Sequence, residues 1–173
     1  MVKVSVIVPA YNAEKTIEKC LDSLLKQTLD DYEVIIVNDG STDNTTAILD
    51  SYKSNEKIKI ITKQNEGIGK ARNDAIKIST GEYITFVDSD DYIDEKTLEA
   101  YYTFAIKNDL DLVTSSYNKV IRGKVIPFPS IKYKIGNIKT SPHIINSIEY
   151  GPCAKLFKRK MLMNNNIFFI ENK

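Results

Sequence analysis

Four aspartates carry the densest chemistry in this sequence. Asp39 stands in Val37-Asn-Asp-Gly-Ser-Thr-Asp43, and Asp88, Asp90 and Asp91 stand in Phe86-Val-Asp-Ser-Asp-Asp91. Each group follows a short β-branched or apolar run, Glu33–Val37 and Glu82–Val87. A third such run, Val4–Val8, leads into Pro9-Ala10-Tyr11-Asn12. In an open parallel sheet, ligands bind beyond the carboxyl ends of the strands. Carboxylates gathered there repel and raise each other's pKa unless a cation intervenes. Their oxygens are hard ligands, so Mg²⁺ or Mn²⁺ is the natural cation. A metal held by one or two carboxylates keeps positions open for phosphate oxygens. Each aspartate also has a simpler reading. Asp39 can cap a turn, and Asp88 or Asp91 can cap the helix that follows. Four of them at two strand ends argue for a shared site.

Other phosphate-binding devices are missing from the pattern. There is no Gly-x-x-x-x-Gly-Lys-Ser/Thr loop and no Gly-x-Gly-x-x-Gly after the first strand. Gly67-Ile-Gly69 lacks the third glycine and follows the third strand. A metal would therefore carry much of the charge neutralisation. Lys70 and Arg72 stand at the start of a helix, whose N-terminus also favours anions. Cys20 and Cys153 have neither metal-ligand nor disulfide-framework spacing, and Cys20 reads as a buried core thiol. The single His143 has no matching Ser or Cys signature, which argues against a His-based triad.

These residues need a scaffold, and the apolar periodicity supplies one. Val4–Val8, Glu33–Val37, Ile58–Thr62, Glu82–Val87 and Leu112–Ser116 read as strands. Glu14–Gln27, with Ile17, Leu21, Leu24 and Leu25 on one side, reads as an amphipathic helix. Asp43 is the expected cap of a second helix running to about Tyr52. Further helices are expected over Lys70–Ile78 and Glu95–Lys107. Strict alternation of strand and helix implies an α/β fold, a mostly parallel open sheet with helices on both faces. After residue 116 the alternation fades. Arg122-Gly123 reads as a hairpin turn, Pro127 and Pro129 as breaks, and Ser141–Ile148 and Met161–Asn165 as short helices.

Composition narrows the class. The 173 residues are 42% hydrophobic and 27% charged, ordinary for one globular domain. No apolar run approaches the roughly 20 residues of a membrane helix. Met1-Val-Lys-Val-Ser5 runs straight into a strand, so no signal peptide is expected and the protein is expected in the cytoplasm. The net charge of +1 argues against nucleic acid as a partner, but it hides a split. Residues 1–115 carry 13 basic and 21 acidic side chains, and residues 116–173 carry 11 and 2. Two readings of the basic part stay open. It meets an anionic membrane surface or phosphorylated carrier lipid, or acidic residues farther along balance it.

Five stretches together resemble the family 2 glycosyltransferases, which have the GT-A fold. They are Val4-Ser-Val-Ile-Val-Pro-Ala-Tyr-Asn12, Val37–Asp43, Asn65-Glu-Gly-Ile-Gly-Lys-Ala-Arg-Asn73, Phe86–Asp91 and, more weakly, Gly151-Pro-Cys-Ala-Lys-Leu-Phe-Lys-Arg159. The resemblance implies a GT-A-type twisted sheet, with residues 1–116 as the nucleotide-sugar half and 117–173 as an incomplete acceptor side. It implies that Pro9, Ala10 and Tyr11 line the nucleotide base and that Asp39 accepts the uracil imide N–H. Arg72 then lies near the base or diphosphate, Asp88 faces the ribose, and Asp90 with Asp88 holds Mn²⁺ or Mg²⁺. The implied donor is a UDP-sugar. The acceptor is a glycan or lipid-linked hydroxyl in bacterial cell-surface polysaccharide synthesis, with inversion at the sugar. Association with the inner face of the membrane fits such an acceptor.

The resemblance also places the general base, typically the Asp of a Glu-Asp pair, beyond a segment like Ile167-Phe-Phe-Ile-Glu171. No Glu-Asp or Asp-Asp pair follows Asp91, and Glu149 and Glu171 are the only carboxylates after residue 116. The chain is therefore expected to be a piece of a longer enzyme, with its base beyond Lys173, binding nucleotide but transferring sugar poorly. Alternatives are a nucleotide-binding module inert in this form, a haloacid-dehalogenase-like phosphatase and a sugar-nucleotide pyrophosphorylase. Tyr92 stands where the phosphatase motif needs Thr or Val. The pyrophosphorylase needs a glycine-rich basic loop after the first strand.

Overall fold

The first strand lies inside the sheet because all its residues but Ser5 are apolar, and Ser5 Oγ donates to Glu33 Oε1. β1 (Val4–Ala10) is buried along its whole length, and so is its neighbour β2 (Tyr32–Asp39). The structure, a computed structural model, describes residues 1–127, 135–137, 139–142 and 150–171. β3 (Ile58–Lys63) pairs parallel with β2, and β4 (Tyr83–Phe86) pairs parallel with the other side of β1. The six-stranded sheet runs β3-β2-β1-β4-β8-β5, with β5 at Leu112–Thr114 and β8 at Lys155–Lys158. Strand order reverses between β1 and β4, and the crevice at such a switch point takes the ligand.

Alternation along β1 divides the core. Val4, Val6 and Val8 join α1 (Ile17–Leu25), α2 (Thr45–Asp50) and α4 (Thr97–Lys107) on one face. Ile7 joins α3 (Ile68–Ile78) and α5 (Arg159–Asn164) on the other. α1 buries Ile17, Cys20, Leu21 and Leu24, while Leu25 of the expected stripe is only partly buried against the same core. Truncating Leu21 or Leu24 to Ala would cost about 2–5 kcal/mol. The open α/β sheet with helices on both faces is thus present.

Several expectations need correction. The segment Lys155–Lys158, for which no strand was expected, is β8. β8 enters antiparallel between β4 and β5, so β5 pairs with β8 and not with β4. Its two lysines disguise it. Lys155 is buried because its ammonium donates to the carbonyls of Gly151 at 2.7 Å and Cys153 at 3.4 Å. Asp43 is not the cap residue of α2. Asn44 holds that position without a side-chain bond, while Asp43 accepts the Thr45 N–H from one residue earlier, at 3.0 Å. The Arg122-Gly123 turn does join a hairpin, β6 (Asn118–Ile121) with β7 (Lys124–Pro127), and both residues have positive φ. The expected helix over Ser141–Ile148 falls mostly outside the described residues, as do His143, Pro129, Glu149 and Lys173.

Candidate functional site

Two loops are laced together at the carboxyl end of the sheet. Asn12, in the left-handed region at φ 49°, accepts the Thr42 N–H at 2.8 Å and donates its own N–H to Ser41 Oγ at 3.0 Å. Asparagine tolerates that backbone better than most residues. Glu14 is tied to Asp43 and Asn44 in the same way. The Glu14 N–H reaches Asp43 Oδ2 at 3.2 Å, and the Asn44 N–H reaches Glu14 Oε2 at 3.0 Å. The turn chemistry of Ser41–Thr45 therefore serves a partner loop about 30 residues away. It fixes Tyr11, half exposed, over the end of β1.

Asp39 closes the opposite wall. Its Oδ1 accepts the Glu66 N–H at 3.0 Å and its Oδ2 accepts the Gly67 N–H at 2.8 Å. The ammonium of Lys63 lies 3.9 Å away. Gly67 has φ 92° and ψ 156°, a backbone open essentially to glycine alone, and it leads directly into α3. The turn reading of Asp39 is thus correct, but the turn it holds belongs to another loop. Each carboxylate oxygen keeps a second lone pair for a ligand.

Between these walls lies a cleft of about 560 Å³. Pro9, Ala10, Tyr11, Asp39, Asp88 and Asp90 all line it, so six of the seven residues to which the resemblance gives a role meet in one place. Asn12, Asn65, Gly67 and Ser89 also line it, although neither Asn65 nor Ser89 carries a charge or ligand chemistry that marks it in the sequence. Arg72 stands behind the wall. Its Nη2 donates to Asp88 Oδ1 at 2.6 Å, and its guanidinium lies 5.1 Å from the centre of the Phe169 ring. Lys70 faces away from the cleft's acids, paired with Asp74 at 3.2 Å and near Glu171 at 3.7 Å.

The tight turn after β4 arranges the remaining carboxylates. Asp91 N–H bonds back to Asp88 O at 2.9 Å, which brings the Asp91 side chain beside Asp88. Donor atoms of Asp88, Asp91 and Cys153 lie within 4.8 Å of one another. Desolvation, with the charges of Asp90 and Asp88, pushes the Asp91 carboxyl up. A divalent cation would relieve that repulsion, so the oxygen donors fit Mg²⁺ or Mn²⁺. The Cys153 thiol is pushed up to about 12 by burial and by Asp88, which makes it a poor ligand for a hard ion. Asp91 converges with Asp88 more closely than the sequence suggested; both Asp90 and Asp91 are exposed, and Asp90 lines the cleft. Neither Asp88 nor Asp91 caps α4, which begins at Thr97 with Lys96 in the cap position. Cys20 is buried, as expected, with its thiol 3.7 Å from Asp88 O.

The description "Glycosyl transferase family 2" matches residues 5–165 of the chain. The chain belongs to glycosyltransferase family 2. It is 42% identical to a poly(ribitol-phosphate) beta-glucosyltransferase of Bacillus spizizenii, over 96% of this chain and 27% of that protein. It is 35% identical to the Staphylococcus aureus poly(ribitol-phosphate) beta-N-acetylglucosaminyltransferase TarP, over 98% of this chain and 53% of TarP. The crystal structure of S. aureus TarS 1-349 in complex with UDP-GlcNAc superposes with a TM-score of 0.84 at 35% identity. That match covers 98% of this chain and 49% of the TarS chain. The chain thus spans from about a quarter to half the length of these relatives. Its sheet is the GT-A sheet of family 2 glycosyltransferases, and its cleft lies where strand order reverses.

Proposed function

We propose that residues 1–116 form the donor half of a glycosyltransferase that takes a UDP-sugar together with Mn²⁺ or Mg²⁺, and that residues 117–173 begin its acceptor side. The observation that carries this reading is the single cleft shared by Tyr11, Asp39, Asp88 and Asp90. Tyr11 packs near the uracil. Asp39, with a lone pair left on each oxygen, accepts the imide N–H. Cytosine lacks that N–H, and a bond to a charged acceptor is worth about 1.5–3 kcal/mol. Asp88 faces the ribose, and Asp90 and Asp88, with Asp91 beside them, hold the metal. A bound divalent cation stabilises the negative charge that develops on the leaving diphosphate. Arg72 orients Asp88 from behind.

The acceptor is a hydroxyl of a cell-surface polymer or lipid-linked glycan, attacked with inversion at the sugar carbon. The relatives named for poly(ribitol-phosphate) support a polymer of that kind. Among the described residues, every carboxylate lining the cleft is assigned to the donor. The group that takes the acceptor's proton therefore stands elsewhere. Exposed Val120, Ile121, Val125 and Ile126 on the β6–β7 hairpin, beside Lys119, Arg122 and Lys124, support contact with the inner face of an anionic membrane.

Calorimetry with UDP, with and without Mn²⁺, tests the reading. Metal-dependent UDP binding is expected, weakened about tenfold or more in Asp90→Ala. Metal-independent binding of NAD in place of UDP would overturn it.

A further inference from the structure

The segment from Ile167 to Glu171 is far from α3 in sequence, yet it is built onto that helix. Asn73, 2% exposed, is the centre of the contact. Its Oδ1 accepts the Phe169 N–H at 2.9 Å, and its Nδ2 donates to Phe169 O at 3.0 Å. This reciprocal pair treats Asn73 as though it were the edge of a strand. The same Nδ2 donates to Glu171 Oε1 at 2.9 Å. One turn earlier on the helix, a Cβ on Gly69 would meet Ile170 O at 2.4 Å. Glycine is there because the two backbones touch. The segment therefore runs along α3 towards its N-terminal end, where Gly67 and Ile68 line the cleft.

The docked segment carries one ring that matters for the cleft. Phe169 packs edge-on against Phe86 at 5.3 Å and lies 5.1 Å from the Arg72 guanidinium. Arg72 in turn holds Asp88 at 2.6 Å. A continuous set of contacts thus joins Asn73, Phe169, Arg72 and Asp88.

We propose that Asn73 is a positioning residue for the donor site: by pinning the Phe169 backbone it seats the ring that sets Arg72, and through Arg72 it sets Asp88. The proposal rests on the donor reading given above. Asn73 itself touches neither nucleotide nor metal.

Three measurements on the same variants separate this role from plain stability. The first is amide exchange at Phe169. Asn73→Ala is expected to speed it about tenfold or more, because both backbone bonds are lost. The second is the NMR signal of the Arg72 side-chain Nε–H without nucleotide. It is expected to shift in Asn73→Ala and in Phe169→Ala. The third is UDP affinity with Mn²⁺, expected to weaken about fivefold in both variants while each stays folded. Asn73→Asp keeps an acceptor for the Phe169 N–H and is expected to fall between wild type and Asn73→Ala in all three. Should Asn73→Ala fail to fold, Phe169→Ala decides the coupling alone. An unmoved Arg72 signal in Phe169→Ala, or UDP affinity within about twofold of wild type with the Phe169 amide freed, overturns the proposal. A wild-type chain that binds no UDP overturns the donor reading instead, and the Arg72 signal still decides the coupling.

Discussion

Arg72 donates to Asp88 Oδ1 at 2.6 Å, while its own Nε is buried and meets no acceptor among the described residues. A guanidinium presents several donors in a fixed fork, and a lysine in its place presents a point charge. Arg72→Lys therefore keeps the charge beside Asp88 but loses the geometry. Arg72→Ala is expected to weaken UDP binding with Mn²⁺ about tenfold, and Arg72→Lys to recover only part of that. The stability cost of Arg72→Ala should stay near 1.5–3 kcal/mol, roughly that of one charged hydrogen bond. Calorimetry at matched ionic strength checks both. Full affinity in Arg72→Lys would show that the charge alone matters.

Asp39 is a second case in which one side chain serves both fold and site. Asp39→Asn replaces one acceptor oxygen with a donor that faces a backbone N–H. The β3–α3 loop then loses a bond and gains a donor–donor clash. A destabilisation of about 2–3 kcal/mol is expected in urea unfolding, with weaker UDP binding. Equal stability of Asp39→Asn and wild type would mean that the loop is held by other contacts.

What was legible in the sequence follows from what is local. Strands that are buried on both faces, such as β1 and β2, read as continuous apolar runs, and the aspartates follow them directly. The clustering of Asp39 and Asp88 needed only the rule about strand ends. Other features depend on partners distant in sequence. Lys155 belongs to a sheet because carbonyls of its own loop satisfy it. Asn73 matters because of residues 96 to 98 positions away. Asp91 rather than Asp90 folds back beside Asp88 because a turn hydrogen bond decides it. No periodicity encodes any of these three.

Glu33 gives the fold a pH dependence. It is buried on β2, and its Oε1 accepts from Ser5 Oγ at 2.6 Å and from the Thr80 N–H at 2.7 Å. Its Oε2 accepts from Lys59 at 2.7 Å. Burial alone would raise this carboxyl, but Lys59, Ser5 and Thr80 more than reverse that and hold it below its usual range. A group depressed in the folded state contributes stability that is present above its unfolded pKa of about 4.3 and lost as pH falls through the folded value. Glu33→Gln should therefore be less stable than wild type at pH 7, by about 1–3 kcal/mol, with the gap closing below about pH 4. Urea unfolding at both pH values measures it. A gap that does not change with pH would place the effect in packing rather than charge.

Cys153 sits close to the cleft carboxylates, yet it should be chemically quiet. With its thiol pushed up to about 12, the thiolate fraction at neutral pH is on the order of a thousandfold below that of a free cysteine. Cys20 is pushed up to about 12 as well, by burial first and then by Asp91, Asp88 and Asp90. Iodoacetamide at pH 7.5 should label neither residue in the folded protein on the timescale that labels both in urea. Rapid labelling of Cys153 alone would mean that the Asp88–Cys153 contact opens in solution.

The β6–β7 hairpin supplies the test of membrane contact. Paired residues share a face of the ribbon, so Val120 and Val125 lie together on one side, and Lys119 with Ile126 and Ile121 with Lys124 lie on the other. All four apolar side chains are about half exposed. Basic residues near an anionic surface contribute about 1 kcal/mol each, and the apolar side chains can enter the interface beside them. Charge and burial then act on one short element. Arg122→Glu with Lys124→Glu removes two attractive charges and adds two repulsive ones. The pair is expected to cut binding to phosphatidylglycerol vesicles by tenfold or more, about 1.4 kcal/mol per factor of ten, and to leave UDP binding unchanged. Vesicles of neutral lipid should bind neither form. Equal sedimentation of wild type and the double variant with anionic vesicles would remove the hairpin from the account and leave its apolar face to another occupant.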